Sequence, residues 1–227
     1  MDEPGLDTRR HARALDALGR ANAVSGTAAS LWPFIRDTAR STVARPLRVL
    51  DLACGGGQVI VSLAGRAARH GIRAEWIGWD RSPVAVEYAR TLAVRRGVKA
   101  VRFEIGDALR GSMPDEVDVA LCTLFLHHLE DVDAMALLRK MKEASGTGVM
   151  VSDLRRTALG AAFTWVGCRL LSRSGVFLED GMRSIAAAFT TEEARRLAAQ
   201  AGLDGARVSQ VWPQRWLLEW RRDGARP

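Results

Sequence analysis

Three aspartates close three short β-branched runs: Asp51 in "VLDLACGGG", Asp80 in "IGWDRS" and Asp107 in "FEIGDAL". The first is followed almost at once by Gly55, Gly56 and Gly57. A strand that bends through glycine lets a ligand approach the backbone, because glycine tolerates positive φ and has no Cβ to clash. A dinucleotide fingerprint needs a further glycine three positions after Gly57, where Ile60 stands. Asp51 would also repel a pyrophosphate, whereas it suits a cationic ammonium group. A carboxylate at Asp80 can accept both hydroxyls of a ribose, and one at Asp107 can meet the exocyclic amine of adenine. The set asks for a ligand with an amine, a ribose and an adenine, and no phosphate. The plainer reading makes all three aspartates turn formers after strands.

A second constellation lies further on. His127 and His128 are adjacent in "CTLFLHHLED", and an ordinary histidine pKa of about 6.5 suits a general base that takes a hydroxyl proton. The alternative is that they cap the next helix or shape a pocket. Of the two, His128 is preferred as base. Asp153, after another β-branched run, either orients a substrate hydroxyl or pairs with Arg155 or Arg156, and the salt bridge is the favoured reading.

These residues need elements that bring them to one edge. From residue 47 the chain alternates strand-like runs at 47–53, 74–80, 101–107, 117–125 and 147–154 with stretches of helical apolar spacing. That alternation predicts an α/β fold, a parallel sheet with helices on both faces. Right-handed crossovers then collect the strand C-termini, and any ligand, on one side. Further on, "TTEEARRLAAQAGL" reads as a helix with a capping box at Thr190 and Glu193 and Gly202 past its end. "ARVSQVW" and "QRWLLEW" read as two strands that close the sheet. Residues 6–40 read as two helices and 157–189 as a largely apolar helical insertion; both are candidate lids.

Composition excludes several classes. With 227 residues, 48% of them hydrophobic, the chain can bury a full core as one unit. Its apolar runs stop short of the ~20 residues a membrane span needs, and "MDEPGLDTRRHARALD" has no signal-peptide core, so a cytoplasmic location is expected. Cys54, Cys122 and Cys168 are odd in number and far apart, which supports neither a disulfide framework nor a zinc site, and all three are expected reduced and mostly buried. Against 26 acidic residues stand 33 basic ones, a net charge of +7. The arginines are scattered rather than clustered, so no specific nucleic-acid footprint is expected.

The motifs resemble those of the class I S-adenosylmethionine-dependent methyltransferases, of the small-molecule kind. "VLDLACGGG" resembles the family's motif I, usually D-x-G-x-G-x-G; "IGWDRSP" resembles its ribose-binding acidic motif; "FEIGDAL" resembles its adenine-contacting motif; "DVALCTLFLHHLED" resembles the segment leaving the fourth strand. The likeness is good over about 46–155, and the closing "FTTEEARRLAAQAGL" is also similar. It implies a Rossmann-like sheet of seven strands, mostly parallel with the last antiparallel, and helical lid segments. Residues 1–45 would form an N-terminal helical lid segment, and 46–227 the methyltransferase domain with the insertion at about 157–189. Asp51, Ala53, Cys54, Gly55, Gly57, Asp80, Arg81, Asp107, Ala108, Cys122 and Thr123 would bind S-adenosylmethionine, leaving S-adenosylhomocysteine as product. Ala53 departs from the pattern by standing where motif I has its first glycine, which is tolerable if its φ stays negative.

The resemblance implies transfer of a methyl group to a small molecule. The "Thr-Leu-Phe-Leu" after the fourth strand lacks the Pro-Pro-aromatic motif of enzymes that methylate base amines, and no oxygen-rich cluster suggests a metal. His11, Asn22, Asp153, Phe163 and Trp165 are candidate pocket residues. His11 and Asn22 reach a substrate only if their segment is a lid; the insertion either lines the pocket or merely covers the sheet. An apolar, aromatic or lipid-like acceptor is expected, with a hydroxyl of a phenolic or polyketide-like compound leading and carbon methylation of a quinone or phenol precursor next. Arg169 and Arg173 leave room for a carboxylated substrate or peripheral contact with a membrane. An RNA methyltransferase and a non-catalytic S-adenosylmethionine-binding protein are the rivals, and a monomer or homodimer is expected.

Overall fold

The computed structural model describes residues 25–42, 44–161 and 175–222, with side chains throughout except those of 175–180. His11, Asn22, Phe163, Trp165, Cys168, Arg169 and Arg173 lie outside the described residues. The elements run α1 (Thr27–Ser41), β1 (Leu47–Leu52), α2 (Gln58–Arg69), β2 (Ala74–Asp80), α3 (Pro83–Arg95), β3 (Val101–Ile105) and β4 (Val117–Thr123). A 3₁₀ turn (Leu126–His128), α4 (Asp131–Ala144), β5 (Ser145–Leu154), α5 (Gly175–Ala187), α6 (Thr191–Gln200), β6 (Arg207–Val211) and β7 (Arg215–Arg221) follow.

The strands form one sheet of seven in the order β3-β2-β1-β4-β5-β7-β6. The pairings from β3 through β5 are parallel. β7 runs antiparallel to both β5 and β6, so it alone opposes the common direction. Seven strands, mostly parallel with the last antiparallel, match the expected fold. β4, at the centre of the sheet, is buried along its whole length, because both faces are covered. On one face α1, α2 and α3 pack Leu31, Phe34, Ile35, Ile60, Leu63 and Ala89 against Leu47, Val49, Val119 and Leu121. On the other, α4 and α6 pack Leu137, Leu138, Met141, Leu197 and Ala198 against Leu50, Leu52, Ala120, Val149 and Val151. Each buried aliphatic side chain is worth about 1.5–3 kcal/mol relative to exposure. Among the described residues no helix is long and apolar enough to cross a membrane.

Local chemistry sets the helix starts. Ser82 accepts from the Ala85 N–H and Pro83 follows it, giving α3 a capped entry with preset φ. Thr190 and Glu193 make the expected reciprocal capping box on α6, and Gly202 past its end has φ of 77°. At the N-terminal edge of the sheet, far from the strand ends that matter below, Arg45 clasps the buried Asp118 with two hydrogen bonds of 2.8 and 2.6 Å. Asp118 also accepts from the Arg48 N–H at 2.8 Å, so it binds the start of β1 to β4.

Candidate functional site

The C-terminal ends of β1, β2 and β4 stand side by side, with Asp51 beside Gly78 of β2 and Leu121 of β4. Asp51 is 1% exposed, and among the described groups neither of its carboxylate oxygens has a hydrogen-bond partner. An unpaired buried carboxylate is costly. Burial, and secondly the charge of Asp80, push its carboxyl well above the ordinary carboxylate range. An incoming ammonium group would relieve that cost, so the site's chemistry fits a cationic amine.

The bend itself is tight. Cys54 donates its N–H to Trp79 O at 2.8 Å, Gly57 to Cys54 O at 3.0 Å and Val61 to Gly57 O at 2.9 Å, which starts α2. Gly57 has φ of 72°, and a Cβ there would lie 2.8 Å from both Ala89 Cβ and Phe103 Cε1. Gly55, with φ of 55°, has nothing within 4 Å of such a Cβ. One glycine is therefore required by packing as well as backbone, the other by backbone alone. Ala53 does not keep the negative φ expected of it. It has φ of 53°, a left-handed conformation that costs an L-residue about 1–2 kcal/mol; the turn demands that conformation whichever residue occupies it. Leu124, after β4, has φ of 55°, so strained non-glycine backbone sits at two neighbouring strand ends, a pattern associated with functional sites.

Asp80 accepts from Gly55 N–H at 2.7 Å through Oδ2 and from Ser82 N–H at 2.9 Å through Oδ1. These bonds orient the group at the end of β2. Asp107 forms a turn of its own, with Oδ1 accepting from Leu109 and Arg110 N–H at 2.8 and 3.1 Å. Burial, the largest single influence, pushes its carboxyl up, but those two N–H groups together with the charges of Arg110 and Arg81 hold it below the usual range. Arg81 is exposed beside Asp80. Ala108 and Cys122 are enclosed in the core under the strand ends, and Cys54 and Thr123 are each 9% exposed. The Cys54 and Cys122 thiols are free and buried, and burial pushes both well up.

The second constellation differs from expectation. Asp153 pairs with neither Arg155 nor Arg156: Arg155 donates to Gln214 Oε1 at 2.7 Å and Arg156 bonds to Glu193. Asp153 instead meets His127, Nδ1 to Oδ1 at 2.6 Å, and accepts the His127 N–H through Oδ2 at 3.1 Å and the Leu154 N–H at 2.6 Å. The reason is positional. β4 and β5 are neighbours, so the turn leaving β4 folds over the end of β5, while Arg155 and Arg156 are held by Gln214 and Glu193. Burial alone would raise the Asp153 carboxyl, but His127 and the two backbone N–H groups hold it below the ordinary range. His128 is exposed, its ring 4.1 Å from that of His127. Both histidines line a cavity of about 280 Å³ with Leu129, Arg156 and Phe189.

Two features went unread in the sequence. Ser152, next to Thr123 across the β4–β5 ladder, is fully buried and its Oγ has no partner among the described groups. Arg215, at the start of β7, is 5% exposed and bonds to Thr27 at the start of α1. Burial lowers its pKa to about 10, partly offset by the charge of Asp153. Both lie in runs that read only as buried strands.

Comparison with known proteins completes the picture. The profile of a family described as a methyltransferase domain matches residues 49–148. The ubiquinone biosynthesis O-methyltransferase of Bordetella pertussis is 31% identical over 176 residues, 75% of this chain and 67% of that protein. That of Thiobacillus denitrificans is 29% identical over 159 residues, 69% of this chain and 64% of that protein. The chain thus spans about two thirds of the length of these curated relatives. Among solved structures, a magnesium protoporphyrin IX methyltransferase from Synechocystis with bound S-adenosylhomocysteine superposes with a TM-score of 0.60 at 17% identity, over 98% of this chain and 90% of that one. A SAM-dependent methyltransferase from Aquifex aeolicus does so with a TM-score of 0.60 at 16% identity, over 95% of this chain and 98% of that one. At such identities the structural likeness speaks for the fold.

Proposed function

Because the chain belongs to the class I S-adenosylmethionine-dependent methyltransferase family, we propose that it transfers a methyl group to a hydroxyl of a small aromatic or phenolic metabolite. The observation that carries this reading is Asp51, a buried carboxylate at the end of β1 whose two oxygens have no hydrogen-bond partner among the described residues. It suits the ammonium of the cofactor's amino-acid end, while Asp80 would take the ribose hydroxyls and the turn at Asp107 and Ala108 would flank the adenine. Gly55 and Gly57 keep the bend open and close-packed, with Cys54, Thr123 and the left-handed Ala53 shaping its walls.

The cofactor supplies an electrophilic methyl group on a sulfonium. The chain's part is to align an acceptor with that carbon, exclude water and accept one proton. Two observations favour a hydroxyl acceptor. The curated relatives are named O-methyltransferases, and His127 and His128 face a cavity at the same edge as the strand ends. Leu129 and Phe189 give that cavity apolar walls, in keeping with an aromatic ring.

The test is titration calorimetry of S-adenosylmethionine and S-adenosylhomocysteine into the protein, followed by a panel of phenols and catechols with NMR of any methylated product. Micromolar cofactor binding with methoxy products supports the reading. Products carrying a new carbon–methyl bond would replace it with C-methylation, and absence of cofactor binding would remove the enzymatic reading.

A further inference from the structure

We propose that Asp153 is a positioning residue which, by accepting from Nδ1 of His127, fixes the imidazole tautomer and makes His127 rather than His128 the base for methyl transfer. The inference rests on the methyltransferase reading above and deepens it. Its ground is the geometry at the ends of β4 and β5. His127 is 7% exposed and Asp153 1%, and the carboxylate holds both the ring, Nδ1 to Oδ1 at 2.6 Å, and the backbone N–H of the same residue, at 3.1 Å. A carboxylate gripping a histidine twice sets where the ring lies as well as which nitrogen carries the proton.

A carboxylate has no proton to donate when ionised, so Nδ1 must be the donor in this pair. Nε2 is then the nitrogen with the lone pair. His127 also lines the cavity with His128, Arg156 and Phe189, so the oriented ring borders space that an acceptor can fill. In the step itself the acceptor's oxygen bonds to the methyl carbon as the carbon–sulfur bond breaks, sulfur keeping the electron pair. The hydroxyl proton passes to Nε2 of His127, and the imidazolium later returns it to water. The Asp153 carboxylate stabilises that imidazolium while it exists. His128 is exposed on the same turn, whereas His127 is buried against the carboxylate.

Among the described residues, the charged and titratable groups around the ring are Asp153 on β5, His128, Glu130 and Asp131 on its own turn and at the start of α4, Arg156 beyond β5 and Glu193 on α6, with Arg183 on α5, which packs against the same turn. Arg215 on β7 acts on Asp153 from the far side. Arg156 and Glu193 are bonded to each other, and among the described residues the carboxylate bonded to the ring is that of Asp153.

The experiment has an arm that needs no acceptor. In ¹⁵N-labelled protein with bound S-adenosylhomocysteine, long-range ¹H–¹⁵N spectra near neutral pH should show His127 protonated at Nδ1 and unprotonated at Nε2. Asp153→Ala should lose that pattern, because it leaves the Nδ1 proton without its acceptor. With 4-methylcatechol as probe, Asp153→Ala should lower kcat by roughly 100-fold with KM little changed. Should Asp153→Ala not fold, His127→Asn keeps a donor where Nδ1 stood and removes Nε2; it should lose the same rate and keep S-adenosylhomocysteine affinity. A wild-type His127 protonated at Nε2 would overturn the proposal. So would full activity in either variant, or a rate loss matched by an equal loss of S-adenosylhomocysteine affinity. Failure of the wild type to bind S-adenosylhomocysteine, read by calorimetry, counts instead against the methyltransferase reading.

Discussion

The backbone N–H of Gly55 donates to Oδ2 of Asp80 at 2.7 Å, so the glycine bend after β1 is held by the carboxylate that ends β2. The residue offered to the ribose thus also sets the shape of the bend under the cofactor's other end. Asp80→Ala should lower S-adenosylhomocysteine affinity at least tenfold and destabilise the protein by about 1–3 kcal/mol, the cost of a donor left unsatisfied. Asp80→Asn retains one acceptor oxygen and should fall between the two in calorimetry and in thermal melts.

Asp51 makes the opposite trade. Its two oxygens, without a partner among the described residues, burden the unliganded fold, so Asp51→Asn should raise unliganded stability by about 1–3 kcal/mol near neutral pH while weakening cofactor binding about 10- to 100-fold. Urea melts and calorimetry on one preparation read both. A variant that loses stability as well as affinity would show that the carboxylate has a structural partner.

The strained bend can be relaxed at one residue and broken at another. Ala53→Gly removes a left-handed alanine and should stabilise by about 0.5–1 kcal/mol after the glycine entropy cost. Gly55→Ala should cost about 1 kcal/mol, from backbone strain alone. Gly57→Ala adds a methyl 2.8 Å from Ala89 and Phe103 and should cost about 1–3 kcal/mol more through overpacking, with loss of cofactor binding. Thermal melts rank the three.

Acid should expose the Asp153 contribution. Its folded pKa is depressed, so the stability it contributes is present above the ordinary carboxylate value of about 4 and is lost as pH falls through the folded value. The stability difference between wild type and Asp153→Ala should therefore be present at pH 5 and shrink below pH 4 in urea melts. A difference that persists unchanged at pH 3 would mean that packing, not charge, is what the alanine removes.

Much of this was legible before any coordinates. β-Branched runs ending in Asp51 and Asp80 mark β1 and β2, and the capping residues Thr190 and Glu193 mark the start of α6, because such features act over a few neighbouring residues. What was not legible depended on who lies next to whom. Ala53 takes positive φ because the bend between β1 and α2 is pinned at Trp79 O and Asp80, both on another strand. His127 finds Asp153, 26 residues away in sequence, because β4 and β5 are sheet neighbours. The two arginines after Asp153 go instead to Gln214 and Glu193, both far off in sequence. The acceptor side is written less plainly still, since Ser152 and Arg215 sit in runs whose spacing reads only as buried strand.

The place of β7 in the sheet has a consequence for biosynthesis. The strand made later than all others among the described elements, Arg215–Arg221, lies between β5 and β6 and pairs with both. On the ribosome, β6 therefore emerges with no neighbour to join, and the flank of β5 beside Ser152 and Asp153 stays open until residue 221 is free of the exit tunnel. The nascent chain can lay down the strands around the glycine bend early, but the corner that holds His127 against Asp153 must wait for its wall. A ribosome stalled before that point would carry an open β-edge, a natural substrate for a chaperone.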